Sequence, residues 1–115
     1  MRGDEINYDR IYVNLKEDLM LELKGLKKKY RMKWDELIWY LCNSHQKPRR
    51  YQKNIEVVFT ETNTLLLNAA VTKKTFDKFS EFNIYFPTQA LCIEWLVIRE
   101  RNKPFGNSPQ LFKYS

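Results

Sequence analysis

The sequence predicts an α+β chain, mainly helical, in which one strand–helix–helix unit is used twice. Three observations carry this. Strict alternation of polar and apolar residues from Arg10 to Lys16 changes at Glu17 into apolar spacings of three and four. The same change recurs after Val71. Between the two lies HQKPRRYQK, His45 to Lys53, a basic segment with a proline that fits neither period.

In the first strand Ile11, Val13 and Leu15 alternate with Arg10, Tyr12, Asn14 and Lys16, so one face is buried and the other open. The helix that follows places Leu19, Met20, Leu23, Leu26 and Tyr30 on one side. Glu17 and Asp18 occupy its first turn and Lys27, Lys28 and Lys29 its last, as the helix dipole favours. That lysine run reads first as a solvated helix end. A second helix runs from about Trp34 to Ser44, with Trp34, Leu37, Ile38 and Leu41 inward and Asp35 and Glu36 in its first turn. Its N-cap is Lys33, a poor cap.

After the basic linker, residues 55–60 are rich in Val and Phe and predict an added strand. The Thr60–Asn63 stretch predicts a turn, and residues 64–71 a further strand. Phe76, Phe79, Phe82 and Phe86 then repeat the spacing of Met20, Leu23, Leu26 and Tyr30, all shifted by 56, and Val71 falls on Leu15. Pro87 ends that helix. Thr88 caps the next, with Leu91, Cys92 and Trp95 inward. There a shift of 54 fits better, which predicts a shorter second inter-helix turn. The expected organisation is one domain over 1–115. Its first unit is 9–45, its linker and added strand 46–63, its second unit 64–102 and an irregular tail 103–115.

One such unit leaves a lone strand and two uncovered apolar stripes. Two units close a core by pairing their strands antiparallel and interlocking their helices. The arrangement resembles the ribbon–helix–helix family, which includes Arc, MetJ and CopG. The resemblance rests on RIYVNLKEDLMLELKGLKKKYRMKWDELIWYL and, more loosely, on LNAAVTKKTFDKFSEFNIYFPTQALCIEWL. The family usually has a glycine before the second helix, and this turn has none. A single chain carrying both units is similar to tandem regulators of archaeal viruses.

The resemblance implies a transcriptional regulator that reads the major groove of double-stranded DNA with its two-stranded ribbon. The base-contacting residues would be Arg10, Tyr12, Asn14 and Asn68. Leu66 and Ala70, also outward, offer no polar reader. Phosphate contacts would come from Lys16, Lys33, Trp34, Arg49, Arg50, Thr72, Thr88 and Gln89. The backbone N–H groups at the starts of the second helices would take part. Lys47 and Lys53 lie in the same linker. An added third strand is a tight fit in a groove about 12 Å wide.

The formal charge of +6 agrees with a polyanionic partner but also with an ordinary basic protein. Without the resemblance, Arg10, Tyr12 and Asn14 read as the solvent face of a strand, and Trp34, Trp39 and Trp95 read as core or interface. Cys42 and Cys92 have no metal spacing and read as buried apolar groups. His45 has no catalytic partner nearby in sequence, and Asp77, Glu81 and Glu94 fit helix surfaces. No nucleophile motif, phosphate loop or metal cluster points to an enzyme, a cofactor or a small-molecule substrate. The N-terminal stretch MRGDEINYDR has no apolar signal region, and no apolar run approaches a membrane span, so the expected location is the cytoplasm. The rival reading is a protein–protein module, antitoxin-like or self-associating on DNA. Its contact would be Phe105, Leu111, Phe112 and Tyr114 of the tail.

Overall fold

The computed structural model describes residues 8–103. The apolar tail therefore lies outside the described residues. Six elements follow in order: β1 (Tyr8–Lys16), α1 (Glu17–Tyr30), α2 (Trp34–Ser44), β2 (Thr64–Thr72), α3 (Lys73–Asn83) and α4 (Gln89–Arg101). The chain is thus α+β, with strand–helix–helix occurring twice. β1 and β2 pair antiparallel in a two-stranded sheet. None of the helices among the described residues is long and apolar enough to cross a membrane.

The strand pairing and the internal repeat agree with each other. Tyr12 stands opposite Asn68, and a shift of 56 also carries Tyr12 onto Asn68. The pair therefore marks the centre about which the two halves are related. Ile11, Leu15, Leu67, Ala69 and Val71 point inward and are buried, while Val13 is half-buried. Beneath them lie Leu19, Met20 and Leu23 of α1, Leu37, Ile38, Leu41 and Cys42 of α2, and Phe79 and Phe82 of α3. α4 adds Cys92, Ile93, Leu96 and Val97. The halves interlock: α2 packs on β2 and α3, while α4 packs on β1 and α1 as well as α2. Neither half has a core without the other.

Three sequence-based expectations are corrected. First, residues 55–60 are not a strand; the sheet has two strands only. Val57 of this segment is exposed, whereas Phe59 is buried. Two of its backbone groups are bonded outside the sheet. The Thr60 N–H donates to Asp18 Oδ2 (2.9 Å), and the Phe59 carbonyl accepts from Lys16 Nζ (2.8 Å). Just beyond, the Asn63 carbonyl accepts from the Glu17 N–H (2.9 Å). β-prone composition alone does not recruit a segment to a sheet; this one is a strap fastened to the start of α1.

Second, the second inter-helix turn is longer, not shorter. Residues 31–33 separate α1 from α2, and residues 84–88 separate α3 from α4. It is α3 that is short, with 11 residues against 14 in α1. The offset between the second helices is 55, which carries the buried set Leu37, Ile38, Leu41 and Cys42 onto Cys92, Ile93, Leu96 and Val97. Leu91 and Trp95 are only half-buried.

Third, Glu94 is not on the surface. It is 3% exposed, and its Oε2 lies 3.7 Å from Lys16 Nζ. Burial pushes its carboxyl above the usual range, and the Lys16 ammonium only partly offsets this.

Glu100, also buried, joins the two halves. Its Oε2 accepts from Tyr30 Oη (2.8 Å) and Tyr40 Oη (2.9 Å), and its Oε1 lies 3.0 Å from His45 Nε2. Lys103 Nζ donates in turn to Tyr40 Oη (2.9 Å). Burial acts to raise the Glu100 carboxyl. The hydrogen bonds from His45, Tyr30 and Tyr40, with the Lys103 charge, outweigh it and hold the group down at about 2. His45, which has no role in the sequence reading, is thus part of a buried network. Cys42 and Cys92 are free and buried, and burial pushes the Cys42 thiol up to about 12.

Candidate nucleic-acid interface

Alternation in the strands sets the composition of the open ribbon face. β1 presents Arg10, Tyr12 and Asn14, and β2 presents Leu66, Asn68 and Ala70, all exposed. The register pairs Arg10 with Ala70, Tyr12 with Asn68 and Asn14 with Leu66. Among the described residues of the two strands, no carboxylate lies on this face. Tyr12 is 62% exposed and Leu66 45%, so neither side chain is covered by the rest of the fold.

The four residues expected to contact bases therefore share one surface. Two of them also touch: Arg10 Nη1 donates to Asn68 Oδ1 (3.0 Å), a diagonal contact across the ribbon. This bond joins residues 58 apart in sequence, and only the pairing register brings them together. A guanidinium has five N–H donors and an amide two, more than this one bond uses.

The eight residues expected to contact phosphate divide into two sets. Lys16 and Thr72 make internal contacts. Lys16 donates to the Phe59 carbonyl beside Glu94. Thr72 caps α3 by accepting from the Thr75 N–H, and its own N–H and hydroxyl both donate to Asp35 Oδ1 (2.8 and 3.1 Å). The remaining six are placed at helix starts and in the linker. Lys33 is exposed and Trp34 half-buried at the start of α2, with the Lys27 ammonium 5.4 Å from the Trp34 ring centre. A groove lined by Lys33, Trp34, Asp35, Glu36, Ala70 and Thr72 joins this helix start to the Arg10–Ala70 end of the ribbon, so two carboxylates border that end.

At the start of α4, Thr88 is exposed and accepts from the Leu91 N–H (3.1 Å); Gln89 beside it is half-buried. Its first turn carries no acid, whereas that of α2 carries Asp35 and Glu36. Glu36 Oε1 accepts the Lys33 N–H (2.8 Å), half of a capping box in which lysine supplies no acceptor of its own. Arg49 and Arg50 are exposed. The Gln52 N–H donates to the Tyr85 carbonyl (2.7 Å), which brings the linker alongside the α3–α4 turn, just ahead of Thr88. Lys53 is exposed, and Lys47 Nζ lies 3.5 Å from Glu81.

Sequence reasoning misses the Arg10–Asn68 bond and the internal use of Lys16. The β-strand alternation already places Leu66 outward, and it is exposed. Among the described residues, no group of three or more His, Cys, Asp or Glu side chains is placed to hold a metal ion. No family model matches the chain, and no curated protein or solved structure matches it either.

Proposed function

We propose that this chain is a sequence-specific double-stranded DNA-binding regulator of transcription, a tandem ribbon–helix–helix protein whose ribbon enters the major groove. One observation carries the reading. A two-stranded antiparallel ribbon, centred on the pair that relates the two halves, exposes Arg10, Tyr12, Asn14 and Asn68 together on a face to which the described strand residues bring no carboxylate. A two-stranded ribbon fits the major groove, where arginine donates twice to guanine and asparagine bonds both edge positions of adenine. The strap formed by residues 55–60 lies outside the sheet, so ribbon width raises no obstacle.

The Trp34 N–H beside the Lys33 ammonium, and the N–H groups of Thr88–Gln89, would hold phosphates on either side, assisted by the helix dipoles. The start of α4, without acids in its first turn, is the better anion site of the two. Arg49 and Arg50 would add charge near it.

Selection of bound sequences from random duplex DNA tests the reading, with Arg10→Ala and Asn14→Ala in parallel. The expected result is an enriched motif for the wild type and lost preference at one position in each variant, on the order of tenfold or more. Affinity should fall steeply with added salt as phosphate contacts release counterions. Failure to enrich any motif, even at low salt, overturns the proposal.

A further inference from the structure

We infer that the two ends of the ribbon face have different base preferences, and that Leu66 reads the C5-methyl group of thymine. The inference rests on the DNA-binding reading above and deepens it. The pseudo-twofold centre at Tyr12–Asn68 divides the open face into two ends. One end presents Arg10 beside Ala70. The other presents Asn14 beside Leu66. The 56-residue shift that relates the halves carries Arg10 onto Leu66 and Asn14 onto Ala70. Equivalent places in the groove would therefore meet a cationic side chain on one side of the centre and an aliphatic one on the other.

Leu66 has the chemistry of a reader rather than of a core residue. Alternation places its neighbours Leu67 and Leu65 on the other face, and Leu67 is buried there. Leu66 itself points away from the core and keeps 45% of its surface exposed. In a major groove the only apolar feature on an unmodified base edge is the thymine methyl, so an aliphatic group facing bases is matched there and nowhere else. Asn14, directly opposite Leu66, is suited to adenine. The two residues side by side thus favour adjacent A·T pairs.

The Arg10 end favours guanine. The Arg10–Asn68 bond (3.0 Å) inclines the guanidinium toward the centre of the ribbon rather than toward its tip. The guanine it contacts should then lie next to the central base pair, with the A·T step on the other side. Such a site has no twofold symmetry, and the protein would bind it in one orientation.

Replacing thymine by deoxyuridine, one position at a time, in the selected duplex tests the inference because it removes a methyl group and nothing else. One thymine at the A·T end should weaken wild-type binding about fourfold when its methyl is removed, the worth of one buried methyl. Leu66→Ala should bind the thymine and uracil duplexes equally at that position. Leu66 is exposed, so the variant should fold, and an unchanged circular dichroism spectrum and melting temperature check this. Uracil tolerated at every position overturns the inference and leaves the DNA-binding reading intact. So does a uracil effect that persists in Leu66→Ala. Absence of any duplex binding overturns both.

Discussion

In the second half of the chain each helix begins on its own threonine: Thr72 accepts from the Thr75 N–H, and Thr88 from the Leu91 N–H. In the first half the helices begin on Lys16 and Lys33, whose side chains offer no acceptor. There the strap supplies the missing partner, through Asn63 to the Glu17 N–H, while Asp18 holds the strap by the Thr60 N–H. Glu36 supplies another, at Lys33. The inter-helix turns differ in the same sense. Arg31 closes α1 in the left-handed region (φ 56°, ψ 48°), where glycine is favoured, whereas Ile84 closes α3 in the ordinary right-handed region (φ −64°). The second half caps both helices from its own N-cap threonines, whereas in the first half α1 depends on the distant strap and α2 on Glu36, three residues into the helix. Two copies of one topology can therefore reach the same core with different local chemistry.

The largest expected effect is at Glu100, where the halves are joined. Glu100→Ala removes the acceptor for Tyr30, Tyr40 and His45 and leaves buried donors unpaired. It should destabilise the fold by about 3 kcal/mol, read from the midpoint of urea unfolding. The pH dependence has a defined sign. The folded carboxyl titrates at about 2, below its usual value of 4.5. Its contribution is therefore complete above the usual carboxylate range and is lost as the pH falls toward 2. Glu100→Gln should flatten melting temperature against pH in that window. An undiminished acid loss in this variant would place the titrating group elsewhere.

A middle-sized effect separates local from distant capping. Thr88→Ala should destabilise by about 1 kcal/mol and leave the strap untouched. Asp18→Ala should instead release the strap, seen as faster amide exchange at Thr60 and faster proteolysis within residues 55–63. Equal strap protection in the two variants would erase the distinction between the halves. The smallest effect is stabilising. Arg31→Gly relieves the left-handed backbone and should raise stability by roughly 0.5–1 kcal/mol, whereas Ile84→Gly should lower it.

Much of the fold was legible because its periods are local. The alternation of Ile11, Val13 and Leu15 and the stripe through Leu19, Met20 and Leu23 gave β1 and α1. Both bounds of α2 and the Thr88 cap were also readable. The 56-residue shift relates the halves but does not set the strand register; the pairing itself places Tyr12 opposite Asn68. α4 resisted because it is buried nearly all round; Cys92, Ile93, Glu94, Leu96, Val97 and Glu100 leave no clear polar face. A glutamate in such a helix looks like a surface residue until its distant partners are known, Lys16 for one and Tyr30, Tyr40 and His45 for the other. The strap failed for a related reason. Val and Phe content reports a taste for extended backbone but not which distant groups will bind the segment, here Asp18 and Lys16. At the candidate site, exposure followed from alternation, while the Arg10–Asn68 bond and the internal contacts of Lys16 depend on pairings far apart in sequence.

The strap has one more consequence. Because the chain crosses from α2 to β2 within one molecule, the second half meets the first at a local concentration set by the tether and not by the amount of protein present. A four-helix core closed between separate chains would come apart on dilution. This one should melt at the same temperature at any concentration, and a single copy of the chain is enough to form the ribbon.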